Sequence, residues 1–524
     1  MSQFSAAVTP GRSLGFLVLG SSLHDIVTRL KAEPQTFGKL ELIYSPENPV
    51  TEPVIVSLPT NGLRLRFDGP EQRLRLIEIT DFSKSKLTYK NIDIVKPASP
   101  ASPSSASSIQ DSPAGPTFKH IYNKLLAPSY PGDYVPPDAN GEGKYGVYVL
   151  SYPGIAFTFP VLDSTWNPDK DYATMLALPS TKPATSMAVF NGDSWQEAQK
   201  VLYDQMLEDP RSYSPPHKGK DIYPDEIGLV NIFGEGKLRL DRAWSSSPFW
   251  LYLGQTTPQE LVAELGPPDA IYRKSDQRMA IHKARTGSDT QQTRPHLDPP
   301  TNDDSTDTDA SSIRTGTSVS DDDDESDSGS VDGKMSKECF YNYFYHGFDI
   351  LVSPPAPPSR APPSTLAIPS ATPDPPSPPI LHTPAPLVAT KIIIHSNIPG
   401  SYAFNRHRRC RWRLSYLSPP APDVTSETAY PAIAARLHEE WKSIYASAEE
   451  AKQRQRGMVL NRDWGDSPGS SVDLLGDWEE GTAVGGRGAE GEVKGGLGNT
   501  TLFGFPGLVF EVLKGGPVSG LTVF

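Results

Sequence analysis

Apolar residues recur along this chain at two periods, every second position and at helical spacing, with long runs between that show neither. In "GFLVLGSSLHDIVTRLKAEPQTFGKLELIYS" (Gly15 to Ser45) the pattern predicts a strand, a turn and a helix. Ser21 or Ser22 caps that helix, Asp25 is an early acid, Leu23, Ile26, Val27 and Leu30 share one face, and Pro34 blocks continuation. The stretch "FWLYLGQTTPQELVAELGPPDAIYRK" (Phe249 to Lys274) has the same grammar. Thr256 or Thr257 caps, Pro258 opens the first turn, Glu260 stands near the positive end, Leu261, Val262 and Leu265 form the face, and Gly266-Pro267-Pro268 ends it.

The segments C-terminal to the two helices correspond in order. Val54 to Asp68 and Tyr341 to Ser353 each read as strand, Asn-Gly or His-Gly turn, strand. Arg73 to Asn91 then parallels Thr390 to Trp412, and "GVYVLSYPGIAFTFPV" (Gly146 to Val161) parallels "TTLFGFPGLVFEVL" (Thr500 to Leu513). The order predicts an α+β fold: tandem duplicated units of a short helix packed on an antiparallel β-meander. The first unit is placed at residues 12–245 and the second at 246–524. Between the copies, Ser186 to Pro210 reads as a strand and a helix capped near Asp193, with Trp195, Ala198, Val201, Leu202 and Met206 inward. Ile227 to Trp244 reads as a hairpin leading into the second copy.

Composition changes the picture in one respect. With 54 prolines and 42 glycines among 524 residues, the packed part is smaller than the length suggests. Residues 97–116, 283–335, 353–388 and 465–498 are poor in apolar residues and are expected to be disordered loop insertions. Their length is tolerable because loop-closure entropy grows only logarithmically. The proline-rich run offers PxxP segments, which more often serve as spacer than as ligand.

The formal charge of -13 is concentrated, since Asp303 to Asp332 holds eleven Asp or Glu against Arg314 alone. The remainder is close to neutral, which removes any whole-molecule case for nucleic acid. Two cysteines cannot make a disulfide framework, and a reducing compartment is the simplest reading. "LGFLVL" (Leu14 to Leu19) is far shorter than the roughly 20 residues of a membrane span, so a cytoplasmic protein is expected.

Candidate chemistry is sparse. GxxxxGK[ST] and HExxH are missing, as is a GxGxxG following a strand, so an enzyme is not expected and neither catalytic nor cofactor-binding residues are assigned. "HRRC" (His407 to Cys410) could join Cys339 and His395 around zinc, but strand alternation puts Cys410, Trp412 and Leu414 on one face, where a buried thiol acts as a small apolar residue. No metal site is therefore assigned. Arg409, Arg411 and Arg413 fall on the opposite face and form a basic stripe. Its readings are phosphate contact, as with a phosphoinositide headgroup, or a solvent-facing strand protected by charge.

The strings "RMAIH" (Arg278 to His282), "YNYFYHGFDIL" (Tyr341 to Leu351), "IIIHSNIPGSYAFNRHRRCRW" (Ile392 to Trp412) and "LFGFPGLVFEV" (Leu502 to Val512) resemble the phagosome assembly factor family of eukaryotes. The likeness covers roughly Leu14 to Val161 and Ser186 to Phe524 and skips the inserts. The resemblance implies a non-enzymatic autophagy scaffold, recruited to the phagophore assembly site with a WD-repeat β-propeller partner that binds phosphatidylinositol 3-phosphate. An adaptor in Golgi-to-plasma-membrane vesicle sorting is the alternative. Function is then expected on outer surfaces and not at the helix caps.

Overall fold

The computed structural model describes residues 3–96, 115–126, 132–137, 144–178, 181–213, 224–273, 338–355, 386–417, 423–460 and 500–524. The four expected inserts lie outside these residues except for a few positions at their ends. The architecture is mixed α+β, mostly antiparallel sheet with few helices.

The first half opens with β1 (Phe4–Thr9), β2 (Ser13–Leu14) and β3 (Leu17–Val18). Helix α1 (Leu23–Ala32) follows, capped by Ser22, whose Oγ accepts from the Asp25 N–H at 3.1 Å, with Leu23, Ile26, Val27 and Leu30 buried as its periodicity predicts. A meander comes next: β4 (Glu41–Ile43), β5 (Val54–Leu58), β6 (Leu63–Phe67) and β7 (Leu74–Ile79). In β5 and β6 buried residues alternate with partly exposed ones, the pattern of a sheet with one face in the core. The chain then adds β8 (Ser85–Tyr89) and β9 (Ile92–Asp93), with β8 parallel to β1. It returns through β10 (Asp133–Val135), β11 (Tyr145–Tyr152), β12 (Ile155–Leu162) and β13 (Ser186–Phe190), and β13 pairs with β7.

Helix α2 (Trp195–Val201) is capped by Ser194, one residue after the expected Asp193, because the Ser194 hydroxyl reaches the Glu197 N–H at 3.3 Å. Only part of its expected inward face is inward. Ala198 is buried, whereas Val201 is 46% exposed and Met206, beyond the end of the helix, is 90% exposed.

The second half contains β14 (Ile227–Ile232), β15 (Lys237–Arg242), β16 (Phe249–Tyr252) and helix α3 (Pro258–Leu265). Thr257 and Glu260 cap α3 reciprocally, Leu261 and Leu265 are buried, and Val262, expected on the same face, is 40% exposed. Then come β17 (Ala270–Arg273), β18 (Cys339–Tyr343), β19 (Phe348–Ser353), β20 (Val388–His395) and β21 (Arg411–Leu414). Helix α4 (Tyr430–Glu440) precedes β22 (Met458–Leu460), β23 (Thr500–Phe505), β24 (Leu508–Leu513) and β25 (Val518–Val523).

The two eight-stranded sheets run β10-β11-β12-β13-β7-β6-β5-β4 and β22-β23-β24-β25-β20-β19-β18-β17, and the smaller sheets run β3-β2-β1-β8 (with β9 added) and β16-β15-β14-β21. The orders match strand for strand, down to the parallel pairs β1/β8 and β14/β21. Two stretches expected to lie between units are sheet members instead. β13 closes the first large sheet, and the β14–β15 hairpin pairs with β16 and β21, so position 245/246 falls inside one sheet. Each half keeps its own core, one around Phe67, Phe157 and Phe159, the other around Trp412, Phe348 and Phe510.

Candidate functional site

Between β20 and β21 the chain leaves the second sheet as "SNIPGSYAFNRHRRC", residues 396–410, and crosses to the first half. This strap forms because its residues suit irregular backbone. Asn397, Gly400 and Asn405 hold φ of +47°, +78° and +60°, and the Asn397 side chain accepts from the Asn405 N–H at 2.7 Å. Gly400 is required where it stands, since a Cβ there would lie 2.2 Å from the Tyr44 Oη.

The strap grips the first half at several points. Gln72 donates to the Asn397 carbonyl at 2.8 Å, and the Asn397 amide donates back to Gln72 Oε1 at 2.9 Å. Phe404 packs against the first core, and Asn405 donates to Thr28 Oγ1. Arg408 is ion-paired with Asp25 at the start of α1 and with Glu226 just before β14, and its guanidinium lies 4.1 Å from the Tyr345 ring centre. Glu226, with 3% side-chain exposure, also takes Arg73 Nη1 at 2.6 Å and the Trp244 Nε1–H at 2.7 Å. Burial pushes the Arg408 guanidinium down to about 10, with the Asp25 charge acting against that fall. Such buried charges persist only when paired, so the seam ties the halves together through groups that water no longer serves.

The three arginines expected as one exposed stripe have three different fates. Arg409 is buried at 5% exposure and donates to the carbonyls of Pro70 and Ser396 at 2.7 and 2.8 Å and to Glu427 at 3.3 Å. Arg411 is partly buried and divides its donors between Glu427 at 2.8 Å and Glu71 at 3.3 Å. Arg413 faces solvent, 3.6 Å from Asp423. Alternation correctly buries Cys410, Trp412 and Leu414, but the first half covers the other side of the strand at Arg409. Arg409 and Arg411 line a seam cavity of about 530 Å³ with Arg73, Arg75, Asp68 and Glu71. Glu427 is held down to about 2: burial opposes its ionisation, but the Arg411 hydrogen bond and the Arg409 charge outweigh it.

Beside the strap lies a second pocket, of about 710 Å³, floored by the outer face of the second large sheet. Register sets Asn342 opposite Asp349, and His395 opposite Gly520 and then Glu511; His395 lies two residues along β20 from Ile393, the partner of Asp349, so all five share one face of the sheet. Ile350, Ile392, Ile394, Leu521 and Phe510 occupy the opposite, core face. Residues Ser401 to His407 of the strap and Thr28 and Lys31 of α1 complete the walls. His395 Nε2 meets Asp349 Oδ2 at 2.8 Å, His407 Nε2 meets Oδ1 at 2.9 Å, and the two rings stack with centres 3.8 Å apart. Burial pushes the His407 ring down to about 4, so at neutral pH it is uncharged and donates its Nε2 proton to Asp349. Burial opposes ionisation of Asp349 as well, but hydrogen bonds from both histidines outweigh it and hold the carboxyl well below the usual range.

Of the four residues weighed from sequence for zinc, the fold brings His395 and His407 together but neither cysteine joins them. Among the described residues the ligand-type group is Asp349, His395 and His407. Cys410 is fully buried with its thiol raised to about 12 by burial, and Cys339 begins β18. Sequence reasoning misses Asp349, although a carboxylate inside the apolar run "FDILV" is the available signal.

Comparison with known proteins gives a consistent result. A family model described as phagosome assembly factor 1 matches residues 13–297 and 380–524. A PHAF1 protein of Arabidopsis thaliana is 22% identical over 519 residues, 98% of this chain and 92% of its own length. One from Drosophila melanogaster is 20% identical over 538 residues, 99% and 93% respectively, and one from Caenorhabditis elegans is 24% identical over 278 residues, 51% of this chain and 60% of its own length. No solved structure matches.

Proposed function

Since the chain belongs to the phagosome assembly factor 1 family, we propose that it is a non-enzymatic scaffold of autophagy, recruited to the phagophore assembly site with a WD-repeat β-propeller protein that binds phosphatidylinositol 3-phosphate. The observation that carries this reading is that the family match runs through both halves and includes the strap that fastens them. The shared unit is then the two-lobed body, whose outer surfaces hold partners while the propeller supplies the membrane contact and avidity.

The test is affinity purification of the tagged endogenous protein from fed and starved cells, with imaging of its position. Starvation-dependent recovery of a propeller protein and phagophore markers supports the reading. Recovery of Golgi sorting proteins in its place would move the protein to vesicle traffic, and no starvation-dependent partner would sink the autophagy role.

The halves are a tandem duplication, supported by the strand-for-strand match of sheet orders and of the capped helices α1 and α3. The phosphoinositide contact expected of β21 falls to Arg413, the arginine of the three whose head faces water. Arg413→Glu should weaken binding to vesicles containing phosphatidylinositol 3-phosphate, and unchanged binding removes this contact.

A further inference from the structure

The outer face of the second large sheet gathers a buried carboxylate and two stacked imidazoles at the floor of the pocket. Asp349 is 8% exposed, yet among the described residues its ion-pair partners are His395 and His407, with Asn342 donating at 2.8 Å. No lysine or arginine stands within ion-pair distance of it among those residues. The buried carboxylate is thus met by two imidazoles and an amide and by no fixed cation among the described residues. A second electron-rich group lies beside it, because His407 Nδ1 is buried without a hydrogen-bond partner. Since Nε2 carries the proton given to Asp349, Nδ1 holds an unused lone pair.

A cation answers both. We propose that Asp349, His395 and His407 bind one divalent transition-metal ion of the zinc class at the floor of this pocket. Two imidazoles and one carboxylate are the donor set such ions favour, and the pocket volume leaves room for water at the open positions. Calcium and magnesium, which prefer all-oxygen shells, are poorly served.

The ligand atoms lie within 4.8 Å of one another, whereas two ligands about 2.1 Å from one ion can be at most about 4.2 Å apart. Stacked rings also aim their lone pairs side by side and not at a point. Metal binding must therefore draw the group together and turn a ring out of the stack. His395 sits on β20 and His407 on the strap, so it is the strap that moves and the ion that staples it to the sheet.

Equilibrium titration of the full chain after chelator treatment tests this, with zinc and then cobalt(II) as probes. One equivalent of zinc should bind with a Kd of about 1 µM or tighter, weakened at least about tenfold by His395→Gln and by His407→Gln and unchanged by Cys339→Ser. The cobalt form should show ligand-field bands without the thiolate charge-transfer band that cysteine ligation adds. His395→Gln can still donate to Asp349, so its metal-free melting temperature should match the parent and separate loss of a ligand from loss of fold. Hydrogen exchange across residues 396–410 should slow on zinc addition in the parent only. Absence of saturable binding, binding that survives both histidine variants, or binding that needs Cys339 would each overturn the proposal.

Discussion

Glu226→Gln is the sharpest test of the seam. Glu226 is the carboxylate that Arg73 and Arg408 share, with side-chain exposures of 3%, 8% and 4% respectively. The amide has the same size and can still accept from Trp244, so packing is nearly unchanged while one buried charge disappears. Two buried guanidiniums then face each other's charge with Asp25 as the remaining carboxylate on Arg408. Removing one partner of a buried pair costs about 3–5 kcal/mol, chiefly because the other is left uncompensated. For a unit of roughly 200 residues each kcal/mol moves Tm by about 2–4 °C, so the loss should be roughly 6–20 °C. Calorimetry at a fixed scan rate measures the shift, and hydrogen exchange locates it, with protection across residues 396–410 falling first. A double-mutant cycle with Arg408→Met isolates the pair, and the double variant should recover at least about 0.5 kcal/mol relative to additivity. A Tm change below about 2 °C, strict additivity, or undisturbed strap exchange would refute the reasoning.

Three further outcomes rest on particular residues. Gly400→Ala puts a methyl 2.2 Å from Tyr44 Oη at φ +78° and should destabilise by about 1–3 kcal/mol in urea unfolding, with partial rescue by Tyr44→Phe because the backbone strain remains. His346 accepts from the Ile227 N–H and donates to the Leu265 carbonyl, and burial pushes its ring down to about 4 from 6.5. The unfolded chain therefore binds the extra proton first: the contribution is fully present above pH 6.5 and falls by about 2–3 kcal/mol as pH drops to 4.5, and His346→Gln should flatten that slope in urea midpoints taken across this range. Thr257→Ala removes the reciprocal cap of α3 and should cost about 1 kcal/mol by the same measurement, with no change in strap exchange.

Much of this molecule is legible from local pattern. Helices α1 and α3, their caps at Ser22 and Thr257, the hairpins β5–β6 and β18–β19, and the burial of Cys410, Trp412 and Leu414 all arise from side-chain period and turn chemistry within a few residues. Met206 reads as inward because the helical period runs past the point where α2 stops, and the β14–β15 hairpin reads as a connection because its partner β21 lies far along the chain.

Alternation tells which residues share a face of a strand, and here that much was decided by sequence alone. What lies against the face was decided by tertiary structure. Arg409, Arg411 and Arg413 are one stripe by period, yet the first half arrives over Arg409, leaves Arg411 half covered and misses Arg413. Arg408 and Asp25 are separated by 383 positions and Gln72 and Asn397 by 325, distances at which no local rule links them. The same long-range closure brings His407 over Asp349 and His395. Pairing of buried charges is a property of the assembled seam, because each group's cost and its compensation come from different parts of the chain.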